Sequence, residues 1–291
     1  MVVPRSFPPG QQAQAIACEW PKQRDQPLSR YSLADIQGVL EQESIVERIS
    51  RSTLCRWLQQ AALKPWKYRS WLFPRDPDFE SKAGRVLDLY QGQWEGSPLG
   101  EDDYVLNADE KSQLQVLRRG HETRPTQAGH RAQVEFEYER EGTVVYQAAL
   151  EVQTEKIVGQ QFPASNCKAS FDDLVAEVMA KKPYCSANRV FWIVDNGPAH
   201  HPATFAKRLQ QLAPQTQAAH LPTHASWLAQ IELYFSILER KALTPRDVDS
   251  KEQMKERIRG FQTRYAQTAK PFHWKFSRQG LEKRCQALEK G

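Results

Sequence analysis

The sequence predicts an α/β fold: a mixed sheet flanked by helices, preceded by a small helical region. Three observations point to it. Residues 29–72 carry their apolar positions at helical spacing. From Tyr104 the pattern changes to two-residue alternation and short, wholly apolar runs. From Phe171 onward such runs alternate with helix-period segments. At 291 residues and 40% hydrophobic, the chain has material for about two domains with real cores.

Residues 1–28, which open with "MVVPRSFPPGQQAQAIACEW", have no charged-then-apolar signal pattern and are expected to form an irregular leader. Ser32 suits the N-cap of a helix "LADIQGVLEQ", with Leu33, Ile36, Val39 and Leu40 on one face. In "ISRSTLCRWLQQAAL", Ser50 or Ser52 caps a second helix that turns Leu54, Trp57, Leu58 and Ala61 inward and Arg51, Thr53 and Arg56 outward. A short helix, a break and a helix opening on Ser, Arg and Thr has the shape of a helix-turn-helix, whose opening residues reach base edges.

From Val46 to Leu72 six cations (Arg48, Arg51, Arg56, Lys64, Lys67, Arg69) face one acid, Glu47, with Trp57, Trp66, Tyr68 and Trp71 between them. That mixture suits a polyanion, although a solvated helix face has the same composition. Residues 29–72 are therefore expected to bind DNA through Arg51, Thr53, Arg56, Lys64, Lys67 and Arg69.

"FPRDPDFE" opens a linker, residues 73–103, that contains one helix from Lys82 to Trp94. A domain over 104–245 follows. "YVLNADE" is its first strand; "RAQVEFEYERE" and "TVVYQAALEVQ" are expected to pair as a hairpin about Gly142. Then come the helix "FDDLVAEVMAKK", the buried strand "RVFWIVD", the helix "PATFAKRLQQL", the strand "QAAHLP" and one long helix, "SWLAQIELYFSILERKAL". Residues 246–291 are expected to be a basic helical tail.

Composition narrows the function. No apolar run approaches the roughly 20 residues of a membrane span. Five scattered cysteines without a CxxC pair argue for a reducing compartment and against a disulfide scaffold or a thiolate zinc site. His200, His201, His220 and His224 lack the spacing of a zinc hydrolase.

Three acids stand out instead. Val190 to Val194, five residues suited to burial, run directly into Asp195, so that a strand end delivers a carboxylate to the sheet's edge. Asp109 ends "YVLNADE" in the same way. It and Glu110 point to opposite faces, so only one of the two can join a shared site. The third acid lies on the helix whose apolar stripe is Trp227, Ile231, Tyr234 and Leu238. Glu232 and Glu239 have equivalent neighbours there, and local pattern does not choose between them. Three carboxylates on a rigid frame are what two divalent ions, and phosphodiester chemistry, require.

"LNADEKS", "WIVDNGPAHH" and "LPTHASWLAQIELYFSILERKAL" resemble the three catalytic blocks of DDE transposases, closest to the bacterial insertion-sequence (six-thirty) branch of the mariner superfamily. The separations, 86 positions from Asp109 to Asp195 and 37 to Glu232, fit that family, and the second selects Glu232 over Glu239. The likeness runs over about residues 100–245 and, more weakly, over "ISRSTLCRWLQQAALKPWKYRSW". It implies an RNase H-like core in which Asp109, Asp195 and Glu232 are catalytic metal ligands for Mg²⁺, with Mn²⁺ able to stand in. Asn196 and His200 are expected to support the cofactor from behind.

The family implies cleavage and joining of double-stranded DNA at terminal inverted repeats, insertion at TA, a homodimer at synapsis, no membrane, and a cytoplasmic, nucleoid-associated protein. Two departures belong to the same comparison. Ala229 stands where the family commonly has Asn, and the chain begins too late for the family's first DNA-binding unit, as a truncated copy would. An inactive DNA-binding relic or regulator, or an RNase H-like nuclease of other role, are the alternatives.

Overall fold

The computed structural model describes residues 7–67, 75–269, 274 and 276–289. The chain divides into two compact units, Met1–Leu72 and Phe73–Gly291.

In the first unit three helices close around one small core: α1 (Pro9–Cys18), α2 (Leu33–Gln42) and α3 (Arg51–Gln60). Ala13 and Ile16 of α1 are buried with Ile36, Leu40, Leu54 and Leu58. The expected irregular leader is thus partly a core helix. Pro9 at its start supplies a preset φ, and Gln14 Nε2 donates to the Trp57 carbonyl at 2.7 Å. Ser32 caps α2 in a reciprocal box with Asp35, and Ser50, not Ser52, caps α3 through the Thr53 N–H at 3.1 Å. Residues 43–50 connect α2 to α3, a longer connection than the tight break expected. Trp57 is half-buried and Ala61 exposed, so the inward face of α3 is Leu54 and Leu58.

The second unit is built on a five-stranded sheet. Its strands are β1 (Asp103–Arg118), β2 (Glu139–Glu151), β3 (Lys156–Gln161), β4 (Arg189–Val194) and β5 (Thr216–His220), in spatial order β3-β2-β1-β4-β5. The first three pair antiparallel, and β4 and β5 add in parallel, which makes the sheet mixed.

Alternation along β4 sorts the two cores. Val190, Trp192 and Val194 face α5 (Lys168–Met179) and α6 (Pro202–Leu212). Phe191 and Ile193 face a layer containing α4 (Phe79–Tyr90), α7 (Ile231–Leu238), α8 (Lys251–Thr268) and α9 (Arg278–Glu289). A strand buried on both faces has to read as a continuous apolar run. Gly159 permits the close approach of α5 to β3, since a Cβ there would lie 2.3 Å from Val178.

Several expectations are corrected here. "RAQVEFEYERE" is not the partner strand. Residues 131–138 lie outside the sheet, Phe136 is 93% exposed, and β2 pairs with the long β1. Gly142 is no turn. It sits inside β2 at φ +99°, beside a shift of register, where alternation alone cannot tell a turn from a bulge.

The expected linker is part of the core: Ala83, Val86, Leu87 and Leu89 of α4 are buried, and Gln93–Trp94 pairs with Ser97–Pro98 rather than extending the helix. Nor are residues 246–291 a tail, because Met254, Ile258 and Leu281 lie in the same core. The long helix expected from Ser226 is broken into a 3-10 turn at Ser226–Leu228, α7, and a π turn at Glu239–Leu243. Trp227 therefore leaves the apolar stripe and stands 47% exposed.

Candidate active site

The site assembles just past the end of β4, beside the middle of β1: Asp109 does not end its strand as expected but lies well inside Asp103–Arg118. Asn107 of β1 lies opposite Ile193 of the parallel β4. Two residues further on, Asp109 lies within β1 on the face of Asn107, and Asp195 lies one residue past the end of β4, close enough for its charge to act on Asp109. That face looks toward α7, because Asn107 is fully buried and links all three elements. Its Nδ2 donates to the Ile193 carbonyl at 2.9 Å, and its Oδ1 accepts from the Ile231 N–H at 2.8 Å. Glu232, in the first turn of α7, is thereby held close enough for its charge to act on Asp109.

The approach to α7 is fixed from behind. Tyr90 donates to the Leu228 carbonyl at 2.8 Å and accepts the Gln230 N–H at 3.3 Å. Asp76 accepts the Thr223 N–H at 2.8 Å and pairs with Lys82. Although burial opposes ionisation of Asp76, these partners hold its carboxyl at about 2.

Electrostatics separates the acids. Burial, reinforced by the charges of Glu110, Asp195 and Glu232, pushes the Asp109 carboxyl up to about 8, even though one oxygen accepts the Glu110 N–H at 2.7 Å. Asp195 goes the other way. Its partial burial is outweighed by His200 Nδ1 at 2.7 Å and the Gly197 N–H at 2.7 Å, which hold its carboxyl below the usual range. At neutral pH Asp195 is ionised while Asp109 tends to keep its proton. Like charges in one low-dielectric site produce this split.

Glu232 and Glu239 differ in their cations. Glu239 pairs with Arg246 at 2.8 Å and Lys111 at 3.6 Å. Among the described residues Glu232 has no ion pair, and its charge is felt at Asp109.

Asn196 and His200 are both held by protein partners. Asn196 Nδ2 donates to the Leu221 carbonyl at 2.8 Å, joining the end of β4 to the chain after β5. His200 is fully buried between the rings of Phe171 and Phe205, at 4.7 and 6.0 Å. Burial works against its charged form, but Asp195 and Glu110 outweigh it and raise the ring to about 9. His220 Nε2 lies 3.0 Å from the His200 carbonyl, to which it must donate, and His201 Nδ1 accepts the Ala203 N–H at 3.3 Å.

Among the described residues no three His, Cys, Asp or Glu side chains stand ready-made around a metal ion. Each aspartate has one oxygen engaged by a backbone N–H, so the donors are close without converging on one point. The donor set itself fits a hard divalent cation: oxygen ligands only, with a buried member kept neutral by repulsion that a cation would relieve.

In the first unit Arg51, Arg56, Lys64 and Lys67 are exposed. The Thr53 hydroxyl lies 3.0 Å from Ser50 Oγ and accepts from Arg56 at 3.2 Å, so it serves the helix start. Arg69 lies outside the described residues, as do Tyr68 and Trp71.

Asn107 is not among the residues the sequence pattern singles out, and Glu110 appears there only as the alternative to Asp109. Asn107 leaves a signal there, a polar residue two positions before Asp109 in an otherwise apolar strand and hence on the same face. Glu110 points to the far face, as alternation requires, but its reach is longer than alternation suggests, because His200 spans from that face to Asp195.

The chain matches the family model of the DDE superfamily endonucleases over residues 105–255. By fold it is similar to the Mos1 transposase paired-end complex with left transposon end, at 15% identity and a TM-score of 0.56, over 90% of this chain and 73% of that one. It is similar also to the mariner Mos1 paired end complex with Mg (14%, 0.55, 91% and 73%) and to the Mos1 Strand Transfer Complex (12%, 0.54, 90% and 72%). At these identities the likeness concerns the fold, which is RNase H-like. No curated protein matches the chain. With the family match running across Asp109, Asp195 and Glu232 in such a fold, this chain belongs to the DDE superfamily endonucleases.

Proposed function

We propose that the chain is a transposase of the bacterial insertion-sequence branch of the mariner superfamily. It cuts and joins DNA at terminal inverted repeats, inserts at TA, and works as a homodimer when two ends are brought together at the nucleoid. The observation that carries this is the meeting of Asp109, within β1, with Asp195, just past the end of the neighbouring β4, and Glu232 of α7, both close enough for their charge to act on Asp109.

In this reading Asp109, Asp195 and Glu232 hold Mg²⁺, or Mn²⁺ in its place. Bound there, the metal supplies activation of a water or 3′-hydroxyl and stabilisation of the leaving oxygen. The chain's own contribution is positional. Asn107 keeps β4 and α7 at a constant offset, the buried floor under Asp109 limits water, and His200 with the Gly197 N–H holds one oxygen of Asp195 in place. In the three-helix unit, exposed Arg51 and Arg56 on α3 approach the DNA ends, as the third helix of a helix-turn-helix unit does. Lys64 and Lys67 add phosphate contacts, and Arg69 is expected to join them.

The test is DNA cleavage by the purified chain on a duplex bearing the inverted repeats that flank its gene, with Mg²⁺. Nicks at the repeat ends are expected, and Asp195→Ala should abolish them. Cleavage that survives Asp195→Ala overturns the proposal.

A second reading, a DNA-binding relic that no longer cuts, draws on Ala229. Its methyl is buried in the core three residues before Glu232, where relatives commonly carry Asn. Repeat-specific binding without any nicking, and recovery of nicking by Ala229→Asn, would favour it.

A further inference from the structure

Glu110 lies on the sheet face opposite Asp109, yet it is tied to the acids from behind. His200 Nδ1 is 2.7 Å from Asp195 Oδ1, and His200 Nε2 is 3.5 Å from Glu110 Oε2. Both His200 Nε2 and Glu110 Oε2 are buried, and among the described residues neither makes a hydrogen bond, so the two orphaned atoms face each other. The second Glu110 oxygen accepts from Asn166 Nδ2. Asn166 Oδ1 in turn accepts from Gln147 Nε2 at 2.9 Å, which also meets Ser170 Oγ at 3.1 Å. Arg208 clamps the turn that carries His200, through Asp172 at 2.6 Å and the Ala199 carbonyl. One polar line thus runs Gln147, Asn166, Glu110, His200, Asp195.

The His200 ring is seated between two carboxylates, with Nδ1 2.7 Å from Asp195 Oδ1 and Nε2 facing Glu110 Oε2 at 3.5 Å. The Asp195 oxygen that it holds is set with it, and among the described residues no hydrogen bond engages the other oxygen of that carboxylate. We propose that Glu110, braced by Asn166, is a positioning residue that orients His200 as a two-ended donor and through it the metal-binding oxygen of Asp195. Partners behind a metal ligand that fix its orientation typically contribute 10–100-fold in metal affinity or activity. The proposal rests on the metal-dependent function above, and gives Glu110 and Asn166 a part in it without contact to metal or DNA.

Glu110→Gln keeps the size of the side chain and removes its charge. The test uses the full chain and two measurements besides cleavage: the histidine ring N–H signals in ¹H–¹⁵N spectra of metal-free protein, and Mn²⁺ binding followed by electron paramagnetic resonance. The parent should show two slowly exchanging ring N–H signals for His200. Glu110→Gln should lose or shift the Nε2–H signal and bind Mn²⁺ about 10–100-fold more weakly, while melting near the parent.

Asn166→Ala, at an exposed position, should weaken Mn²⁺ binding in the same direction by a smaller factor. It carries the test if Glu110→Gln fails to fold. A single ring N–H signal in the parent overturns the proposal. So does equal Mn²⁺ binding by the parent and a folded variant, with the metal-dependent function left standing. A parent that neither binds Mn²⁺ nor cuts DNA sinks that function, and the proposal with it.

Discussion

Asp109 illustrates how a functional position opposes stability. Its proton is retained on folding because burial and three neighbouring carboxylates disfavour the charge. A carboxyl whose folded pKa lies above its unfolded value weakens the fold as pH rises from about 4 to about 8. Asp109→Asn should therefore melt higher than the parent at pH 8 by at least about 2–4 °C, the shift expected from about 1 kcal/mol in a domain of this size. The difference should vanish near pH 4, and scanning calorimetry across that range checks it. The two glutamates of the α7 region separate by the same logic. Glu232→Gln should abolish cleavage with little change in melting. Glu239→Gln releases Arg246 and Lys111 and should lower stability by about 1 kcal/mol or less, as partly exposed pairs do, with cleavage largely kept. A nicking assay beside a denaturant melt distinguishes them.

Strands and helices show where local pattern is a good guide and where it misleads. "PATFAKRLQQL" is α6 without a residue's error, since Pro at its first position and helical spacing agree with the packing against β5. "RAQVEFEYERE" alternates as a strand should, yet only residues 139–141 are in the sheet, as the start of β2, and it is β2 that pairs along β1. Alternation reports a capacity to pair, and a partner decides whether it is used. The joint between β1, β4 and α7 depends on Asn107. Asn107→Ala would leave the Ile231 N–H and the Ile193 carbonyl buried without partners, and should cost about 2 kcal/mol or more, read from urea unfolding. Gly159→Ala should cost about 1–3 kcal/mol through overpacking, because Val178 belongs to the α5 core and cannot move aside cheaply.

The two units have separate cores, one centred on Leu54 and Leu58 and the other on the sheet. DNA affinity and metal chemistry are therefore expected to respond to different substitutions. Arg51→Ala or Arg56→Ala should weaken binding to the repeats. If the lost contact is to phosphate, each should also reduce the slope of log affinity against log salt by about 1. Asp195→Ala should leave that slope unchanged. Fluorescence anisotropy over a salt series measures both, and an unaltered slope and affinity in the arginine variants would remove α3 from the interface.

Periodicity, caps and the three acid-bearing blocks were enough to establish helices α2, α3, α5, α6 and α8, strands β4 and β5, and the candidacy of Asp109 and Asp195, because each depends on residues near in sequence. The folded chain alone decided that α1 and α4 are core, that the helix before Glu232 is broken, that cations neutralise Glu239, and that Glu110 reaches Asp195 through His200. Those outcomes turn on which surfaces meet in space, many of them between segments far apart in sequence. Burial, partnership and the desolvation of a charge exist only once they have met.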